Sequence, residues 1–496
     1  MFHVKFRRVF FSSAAIVLPS TAALLSADEG NLRALRFWSF ALPAYIHYEL
    51  TDRWLRYKHA DDSETEESFN ALHERYSPQA EKLVMQMRGY FLKAAQLMSV
   101  RDDFTPQQYL KWCKRMQDEA PVTFSSVEAR DFVEKHIGQI FTEWQNEPIG
   151  SASIGQVYKA RLQTGETVAV KVQGEHAEKE FRADMRTLRK FCELALPQFV
   201  APLKEIEAQF MTEFDYRAEA MNLERIRSNL SKGQWSNKVV VPKPYPELCT
   251  KRVLVMEFLD GRKISDILHD ALRAEALRLN IEEDVVRERF EERMRRSDLN
   301  NTTFENIKRT LYRWLGGSNP VDTFKVMDTV MRVHGYQVLV NGEFNGDPHP
   351  GNILLLKDGR IGLIDFGQVK RLSDSTRLRI AELVVAIGNR DVGKTCNLLQ
   401  SLGVQSKYND NDVQNRMISF WLDRDTPDVT NGLNIHKFLE NMEIRDPAVS
   451  MNQDLVMVCR CSFMIRSLAS ALGLKIATTD YWRDYAEQVL QQKTMN

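Results

Sequence analysis

Residues 343–367, EFNGDPHPGNILLLKDGRIGLIDFG, constrain what this chain can fold into more than any other stretch. Two apolar runs, residues 353–356 and 361–364, flank a Lys-Asp-Gly-Arg segment, and an Asp-Gly pair between apolar runs predicts a β-hairpin. The hairpin places Asn352 and Asp365 at the same end of two paired strands. Their side-chain oxygens can then converge on one divalent cation, and oxygen ligands beside a triphosphate are what magnesium prefers.

The spacing of three polar residues in this stretch matches the catalytic loop of protein kinases. Asn352 lies five positions after Asp347, and Asp365, which opens an Asp-Phe-Gly triplet, lies thirteen positions after Asn352. In protein kinases the first Asp orients the nucleophile, while the Asn and the Asp of the triplet hold magnesium. The alternative is a polar surface hairpin with turn-forming Asp and Asn. The joint spacing favours a nucleotide site.

The bulk composition excludes some classes of function. At 496 residues the chain is long enough for two or three domains. Because 67 basic residues balance 67 acidic ones, bulk charge does not support nucleic-acid binding, and we expect no nucleic-acid partner. The cysteines have no zinc-binding spacing and are expected to be free thiols in a reducing compartment: Cys113, Cys192, Cys249, Cys396, Cys459 and Cys461.

The N-terminal segment, residues 1–57, is predicted to be a targeting or membrane-associated segment. Residues 1–27 are basic, contain serine and have no acid, as in a mitochondrial transit peptide. Residues 9–27 are uncharged and barely long enough to span a bilayer, so a membrane anchor is the alternative. The absence of a disulfide framework disfavours a secretory signal. The aromatic residues in 37–45 could lie on a membrane surface or in an ordinary core.

Two helical segments are expected before the first strands. Residues 58–75 are polar and acidic, which is typical of a linker or the start of a solvated helix. From residue 77 apolar residues recur at three- and four-residue steps and predict a helix, and Pro106 opens another. Together these form a predicted helical extension over residues 58–145.

Residues 148–172 change to a strand pattern with a glycine turn and a Val-Ala-x-Lys sequence, as in the N-terminal part of a kinase fold. Main-chain amides of the turn are predicted to cradle phosphates, although Ala152 stands where G-x-G-x-x-G has its middle glycine. Lys171 is expected to neutralise phosphate charge, and the alternative is a lysine that only extends to solvent. The predicted nucleotide contacts here are Gly150, Ser151, Ala152, Ser153, Ile154, Gly155, Val157, Ala169 and Lys171.

A kinase-like site also needs a helix carboxylate to pair with the strand lysine. Glu213 and Glu219 are both candidates within the helical residues 175–231. Acids six positions apart cannot share one face of a regular helix, so we expect them to have different partners; a solvated helix face is the alternative. Further along, a strand ends at an Asp-Gly turn, and main-chain groups from Glu257 to Leu259 are expected to meet adenine.

The chain after Gly367 disfavours a conventional protein kinase. Only a short polar piece precedes a helical pattern that starts near Leu378, so the long activation segment that shapes a peptide platform is missing. Residues 263–319 are predicted to be a charged, solvated helical insertion, and residues 321–340 a helix. Residues 401–496 are predicted to be helical and contain no recognisable motif.

These residues resemble the UbiB/aarF-domain family of atypical kinases, called ADCK proteins in animals, over roughly residues 80–400. The resemblance rests on a K-x-G-Q-like sequence from Lys93 to Gln96, on the small-residue loop before Gln156, and on the Asp-Pro-His-Pro-Gly-Asn sequence. It also rests on two further sequences, Glu213-Phe-Asp215 with Glu219-Ala, and Met116-Gln-Asp-Glu-Ala-Pro121. The layout is most similar to the mitochondrial ADCK branch.

The resemblance implies an α+β, bilobal, kinase-like fold: a small β-rich N-lobe over residues 146–260 and a helical C-lobe over residues 261–400, with additional N-terminal helices and a helical C-terminal extension. It implies that Lys93 and Gln96 lie on a helix that folds over the active site, with Lys93 facing the acids around Glu213 and Asp215. It also implies ATP or ADP with Mg²⁺ as cofactors, and a mitochondrial, membrane-associated location. Membrane lipid or lipid-like molecules and mitochondrial proteins are the implied partners.

Two departures from the family pattern affect these expectations. Ala95 replaces the glycine of K-x-G-Q, so the covering helix is expected to pack less closely. Asn345 stands where kinases commonly have His, which is expected to remove one support of the catalytic loop and slow phosphoryl transfer.

Three functions follow, in order of preference. The first is an atypical kinase or ATPase at a mitochondrial membrane, in lipid, ubiquinone or mitochondrial homeostasis, with Asp347 and Lys171 catalytic and Asn352 and Asp365 binding magnesium. The second is a nucleotide-bound scaffold or lipid-binding module with weak or no catalysis. The third is a protein kinase, which would need a peptide groove.

Overall fold

The structure is a computed structural model that describes residues 29–99, 105–116, 125–151, 154–197, 200–283, 285–286, 289, 323–433, 435–472 and 474–495. The chain divides into two compact units. The first takes its described residues from Met1–Lys159 and Lys171–Phe214, and the second from Ala160–Val170 and Asp215–Asn496. The fold class is mixed helix and sheet, with helices predominating and several small sheets.

The helices of the first unit are α1 (Glu29–Tyr57), α2 (Asp62–Met87), α3 (Gly89–Ser99), α4 (Gln107–Arg115), α5 (Ser126–Ile137), α6 (Ala177–Ala195) and α7 (Val200–Met211). Helix α2 begins early because Asp61 caps it and accepts a hydrogen bond from the Glu64 amide. Most of residues 58–75 are therefore helix, which agrees with a solvated helix start rather than a linker. The helix predicted to open at Pro106 is confirmed as α4.

The core of the first unit is aromatic. Phe37 of α1 is buried and packs edge-on against Phe191 of α6, and its ring centroid lies 5.8 Å from that of Phe91 in α3. The aromatic residues 37–45 therefore belong to an ordinary core at Phe37, which was one of the two predicted alternatives. Phe181 and Phe210 join α6 to α7 in a neighbouring cluster.

The strands are β1 (Phe141–Trp144), β2 (Gly150–Ser151), β3 (Gly155–Leu162), β4 (Thr167–Gln173), β5 (Val239–Val240), β6 (Val253–Glu257), β7 (Gly261–Lys263), β8 (Glu343–Asn345), β9 (Ile353–Leu356), β10 (Ile361–Leu363), β11 (Val369–Arg371), β12 (Gln405–Ser406) and β13 (Ala448–Ser450). One sheet has the order β1-β3-β4-β6, with β2 paired to β3. A second has the order β5-β10-β9-β7, and β8 pairs with β11. Alternating and continuous runs of Val, Ile and Leu in these strands fit their burial.

The helices of the second unit are α8 (Tyr216–Leu230), α9 (Ile264–Leu279), α10 (Thr323–Tyr336), α11 (Asp374–Gly388), α12 (Val392–Ser401), α13 (Asn411–Leu422), α14 (Pro427–Thr430), α15 (Ile435–Arg445), α16 (Gln453–Ala471) and α17 (Thr479–Met495). The predicted helix over 321–340 is confirmed as α10 followed by a π-helical turn, Gln337–Asn341. The buried Trp482 of α17 packs where a Cβ at Gly335 would stand, and its indole nitrogen donates to the Met331 carbonyl at 2.9 Å. Glycine at 335 therefore allows α17 to lie directly on α10.

The hairpin predicted over residues 353–364 is confirmed. Strands β9 and β10 pair antiparallel, with Ile353 opposite Leu363 and Leu355 opposite Ile361. Gly359 has a φ of +84°, which L-residues rarely adopt, so the Asp-Gly turn depends on this glycine.

Several predictions fall on residues outside the described ranges. They concern the targeting segment over 1–27, the motif residues 117–121, Ala152 and Ser153 in the glycine turn, and most residues from 284 onward in the charged insertion 263–319. Within the described ranges, no helix combines the length and apolar character that crossing a bilayer requires. All six cysteines are described and all are free thiols, as predicted.

Candidate functional site

The hairpin brings the two predicted magnesium ligands of the second unit to one end of its strands. Asn352 immediately precedes β9, and Asp365 follows the end of β10, separated from it only by Ile364. The Ile364 amide donates to the Asn352 carbonyl at 3.1 Å, which extends the ladder to the ends of both strands. A local, strongly patterned hairpin thus fixes the separation of these two side chains.

The catalytic loop is tied to the Asp-Phe-Gly triplet by Asn345. Its Oδ1 accepts from the Asp347 amide at 2.9 Å, and its Nδ2 donates to the Asp365 carbonyl at 2.9 Å. The side chain is buried, so both hydrogen bonds are shielded from water. The expectation that Asn345 removes a support of the loop is therefore wrong: an amide has both a donor and an acceptor, and here each is used.

The triplet itself is held from two sides. The Asp365 carboxylate accepts from the Gly367 amide at 3.0 Å through Oδ1, which orients the side chain. Asn222 of α8 donates to the Phe366 carbonyl at 2.9 Å. A Cβ built on Gly367 would lie 3.4 Å from Asp365 Oδ1 and 3.7 Å from Glu219 Oε2, so the buried Glu219 carboxylate lies beside the triplet.

The two candidate carboxylates are in different local structures. Glu219 is in the first turn of α8 in the second unit, whereas Glu213 is in a 3₁₀ turn, Thr212–Phe214, that ends the first unit. Asp215 caps α8 and accepts from Arg217, and this hydrogen bond lowers the pKa of the Asp215 carboxyl. Of the two candidates, Glu219 is therefore the one that the structure brings to Asp365. The partner of Lys171 stays a prediction.

Helix α8 is also fixed to strand β8 by charged groups. Arg225 donates to Asn222 Oδ1 at 2.6 Å and to Glu343 Oε1 at 2.9 Å. Arg371 of β11 lies 3.6 Å from the same Glu343 oxygen. This network joins α8, β8 and β11, so Glu219 and the strand before Asp347 are held in one arrangement.

The segment after the triplet is short, as predicted. Strand β11 pairs with β8 directly after Gln368, and α11 begins at Asp374, where the Ser373 side chain accepts from the Thr376 amide. Residues 368–374 are all described, and they leave no room for a long peptide-binding segment.

A functional contact that the sequence did not predict comes from α16. Arg460 Nη2 lies 3.1 Å from Asp347 Oδ1, and Arg460 Nη1 donates to Gln368 Oε1 at 3.4 Å. The C-terminal region was expected to be helical but without a motif, and 113 residues separate the two partners. The available signal was an arginine between two cysteines, Cys459 and Cys461, in the middle of this helix. Burial raises the pKa of the Cys461 thiol, which therefore stays protonated.

The glycine turn belongs to the first unit. Strands β2 and β3 pair antiparallel, with Gly150 opposite Val157 and Ser151 opposite Gln156. The Gly174 amide donates to the Ile154 carbonyl at 3.0 Å, which holds the second side of the turn. The two paired strands flank the glycine turn, whose tip residues lie outside the described ranges, so phosphate binding by this turn stays a prediction.

The K-x-G-Q-like sequence lies on α3, also in the first unit. Lys93 Nζ lies 5.7 Å from the ring centroid of Phe210, three residues before Glu213 in the chain. Ala95 is buried against Leu92 and Trp112. Its methyl group is part of this core. The expected looser packing of the helix over the active site stays a prediction. Gln96 lies on the same helix.

Two main-chain amides of the predicted hinge, residues 257–259, donate to carbonyls elsewhere in the protein. The Glu257 amide donates to the Lys243 carbonyl at 2.8 Å, and the Phe258 amide donates to the Thr167 carbonyl at 3.1 Å. Leu259 is buried with Leu354. Because these two amides already donate within the protein, the other main-chain groups of residues 257–259 are the ones predicted to contact adenine. The predicted contact residue Ala169 is buried in β4.

Comparison with known families settles what kind of domain this is. The family described as the ABC1 atypical kinase-like domain matches residues 115–399, which is more than half of the chain. The chain belongs to the ABC1 atypical kinase-like family. The resemblance to UbiB/aarF-domain proteins is thereby confirmed, and Asn345, Asp347 and Asp365 lie within the residues that match the ABC1 domain.

Three relatives illustrate the ABC1 family. An uncharacterized Synechocystis protein is 30% identical over 65% of this chain and 72% of its own length. The chloroplastic ACTIVITY OF BC1 COMPLEX KINASE 7 of Arabidopsis thaliana is 27% identical over 82% of this chain. The aligned part is 53% of the length of that protein. AarF domain-containing protein kinase 1 of Xenopus laevis is 27% identical over 81% of this chain and 69% of its own length.

A solved structure is also similar. It is a Mycobacterium tuberculosis protein in complex with erythromycin, 18% identical, covering 86% of this chain and 98% of that one with a TM-score of 0.45.

The donor set of the ABC1 domain fits magnesium in a nucleotide complex. Among the described residues there is no cluster of three His, Cys, Asp or Glu side chains that could hold a metal alone. Magnesium in phosphotransfer sites takes one or two protein oxygens and completes its shell with phosphate and water. Asn352 and Asp365 supply two such oxygens, and Asp347 lies on the same tied loop.

Proposed function

We propose that this ABC1 domain binds ATP with magnesium and transfers or hydrolyses the terminal phosphoryl group, as an atypical kinase or ATPase. The observation that carries the proposal is the arrangement of Asp347, Asn352 and Asp365 around one hairpin, tied together by Asn345. A two-lobed, kinase-like arrangement of the chain is part of the proposal.

Each residue then has a defined role. Asn352 and Asp365 would hold magnesium, which neutralises charge on the phosphates. Lys171 and the main-chain amides of residues 150–155 would bind the phosphates, and main-chain groups of residues 257–259 would bind adenine. Glu213 and Glu219 stay the two candidates for the carboxylate that holds the strand lysine.

Asp347 is the group that would move the proton. An oxygen of water or of an acceptor hydroxyl forms a bond to the γ-phosphorus while the bond to the β,γ-bridging oxygen breaks. ADP leaves with that electron pair, and the proton of the attacking oxygen passes to the Asp347 carboxylate. With water as the acceptor, the products are ADP and phosphate. Positioning and electrostatic stabilisation provide most of the catalysis in such reactions.

The short segment after the triplet supports a small acceptor or water over a peptide. A peptide platform needs a long activation segment, and residues 368–374 pass directly into α11. For this reason a conventional protein kinase is the less favoured form of the proposal.

We also propose a mitochondrial, membrane-associated location with a lipid or lipid-like partner and possible mitochondrial protein partners. The support is the basic, acid-free composition of residues 1–27, together with the resemblance of the motifs to mitochondrial ADCK proteins. The relatives named above come from a cyanobacterium, a plant chloroplast and a frog, so they do not choose among compartments.

A thermal-shift titration tests the nucleotide site. The full chain is titrated with ATP, with and without magnesium, beside Asp365→Asn. A ligand that binds only the folded state stabilises it by about 2.7 kcal/mol at a hundredfold excess over its Kd. We expect a magnesium-dependent rise in Tm for the unchanged chain and its loss in Asp365→Asn.

The same hairpin supplies a matched control. Asp358 lies in the β9–β10 turn, where its carboxylate accepts from the Arg360 amide at 3.0 Å, and Asp358→Asn makes the same chemical change away from the site. It should keep the magnesium-dependent shift. An unchanged chain that shows no shift with MgATP, or an Asp365→Asn variant that keeps it, contradicts the proposed function.

A further inference from the structure

Three residues of helix α16 contact the proposed catalytic loop and the segment after the triplet. Asp454, Met457 and Arg460 follow one another at three-residue steps, so each is a neighbour of the next on the helix surface. Arg460 contacts Asp347 and Gln368, as described above. Asp454 forms an ion pair of 2.7 Å with Lys370 of β11.

The third contact fixes how close the helix comes. The end of the Met457 side chain occupies the space into which a Cβ at Gly346 would project, and the Gln368 carbonyl borders the same space. Gly346 is the residue directly before Asp347. Helix α16 therefore lies against the catalytic loop itself.

These contacts occupy the position in which a kinase uses its activation segment. That segment normally braces the catalytic loop and the triplet, and here it is replaced by six residues between Gly367 and α11. Helix α16 contacts the chain both before and after the triplet. Arg460 and Met457 contact the catalytic loop at residues 346–347, and Asp454 contacts Lys370 after the triplet.

The exposure of the Arg460–Asp347 pair matters for its role. The side chains are 27% and 18% exposed, so water and a substrate can still reach the carboxylate. A fully buried pair would destabilise the fold if one partner were removed, and it would withhold the carboxylate from chemistry. A guanidinium contact at 3.1 Å, in contrast, restricts the rotation of a carboxylate that remains accessible.

We propose that Arg460 is a positioning residue for phosphoryl transfer, and that α16 takes the place of the activation segment as the brace of the catalytic loop. The Arg460 guanidinium holds the Asp347 carboxylate in the orientation that receives the proton of the attacking oxygen. This inference rests on the proposed function and adds to it a residue outside the segment 115–399 that matches the ABC1 family.

Steady-state ATP turnover and MgATP binding of the full chain test the inference. Arg460→Met keeps the length of the side chain but removes the charge and the donors. Misplacing a catalytic group by about 1 Å costs about 100-fold, so we expect kcat to fall by about that factor. Because Arg460 does not touch the proposed magnesium ligands, we expect the Kd and KM of MgATP to stay within about twofold.

Two further variants separate positioning from general damage. Arg460→Lys keeps the charge but loses the planar donor geometry, and it should recover about tenfold of the lost kcat. Arg445 also pairs with aspartates in the C-terminal region, at 2.9 and 3.0 Å from Asp412 and Asp410, but those are not at the site. Arg445→Met removes an equivalent charge and should leave kcat unchanged.

Each outcome decides the matter. An Arg460→Met variant with unchanged kcat overturns the inference while the proposed function stands. A higher kcat would show that the pair restrains Asp347 instead of orienting it, and also overturns the inference. A parallel loss of MgATP binding would show a structural role only. If the unchanged chain neither binds nor turns over MgATP, the proposed function itself has failed, and the inference with it.

Discussion

Two long-range arginine–aspartate pairs, one in each unit, differ in a way that separates structure from function. In the first unit Arg33 of α1 donates to both carboxylate oxygens of Asp184 on α6, at 2.9 and 2.5 Å, with side-chain exposures of 5% and 0%. In the second unit Arg460 contacts Asp347 at 3.1 Å, with exposures of 27% and 18%. Both link helices or loops far apart in the chain, but only the second leaves its carboxylate accessible.

The exposure of an arginine–aspartate pair decides what the pair contributes. A buried, two-oxygen pair is fully desolvated, and its value lies in how much its loss would destabilise the fold. A partly exposed pair contributes little to stability, because water competes for both partners. When such a pair nevertheless includes a proposed catalytic carboxylate, orientation is the property that it can affect.

The largest effect should come from breaking the buried pair. Arg33→Met leaves the Asp184 carboxylate buried without its guanidinium and also removes a 2.6 Å hydrogen bond to the Met87 carbonyl at the end of α2. Removing one partner of a buried pair costs about 3–5 kcal/mol. We expect that loss in the free energy of unfolding, measured by urea denaturation.

Arg53 on the same helix is the matched control. It pairs with Glu49 at 2.8 Å on the surface of α1, where an i,i+4 pair contributes about 0.3–0.5 kcal/mol. Arg53→Met should therefore leave the urea midpoint almost unchanged. If the two variants lost equal stability, burial would not be what distinguishes these pairs.

His334 shows what burial does to an ionisable group that, unlike Arg33 and Asp184, forms no ion pair among the described residues. His334 of α10 is fully buried; its Nδ1 contacts the Val330 carbonyl at 2.8 Å, and its Nε2 has no hydrogen-bond partner among the described residues. Burial lowers the pKa of His334 to about 4. Since the unfolded chain protonates near pH 6.5, it binds more protons than the folded chain between these values, and stability falls as the pH falls.

The size and test of this effect follow from the shift. A lowering from 6.5 to about 4 corresponds to a loss of about 3 kcal/mol between pH 7 and pH 4. The free energy of unfolding, measured by urea titration at several pH values, should show this decline. In His334→Leu the decline should be smaller by that amount, whatever the absolute stability of the variant. Equal slopes for both proteins would mean that His334 is not protonated on unfolding.

What the sequence predicts well in this chain is local. The hairpin over 353–364 follows from two apolar runs and an Asp-Gly turn, and it suffices to bring Asn352 and Asp365 together. Helix α4 likewise follows from its proline start, and α10 lies where a helix over residues 321–340 is expected. In each case the residues that decide the structure are within a few positions of one another.

What the sequence does not predict depends on contacts between distant segments. The histidine that kinases commonly have at position 345 suggests only that a support of the loop is lost. The role of Asn345 depends on where the Asp365 carbonyl lies after folding. Arg460 lies in a helix whose periodicity predicts burial but says nothing about which loop the helix meets. The pair of Arg33 and Asp184 is hidden for the same reason, since 151 residues separate its members.

The smallest effect on stability should come from the functional pair. Arg460→Met removes a partly exposed ion pair, and such pairs are worth less than about 1 kcal/mol. We expect its urea midpoint to lie close to that of the unchanged chain, although the same substitution should reduce turnover strongly. A double-mutant cycle with Asp347→Asn should give a coupling below about 1 kcal/mol, far less than the cycle of Arg33→Met with Asp184→Asn. A coupling of several kcal/mol between Arg460 and Asp347 would instead make this pair structural. The fall in kcat would then reflect a loosened loop, and the contrast between the two units would disappear.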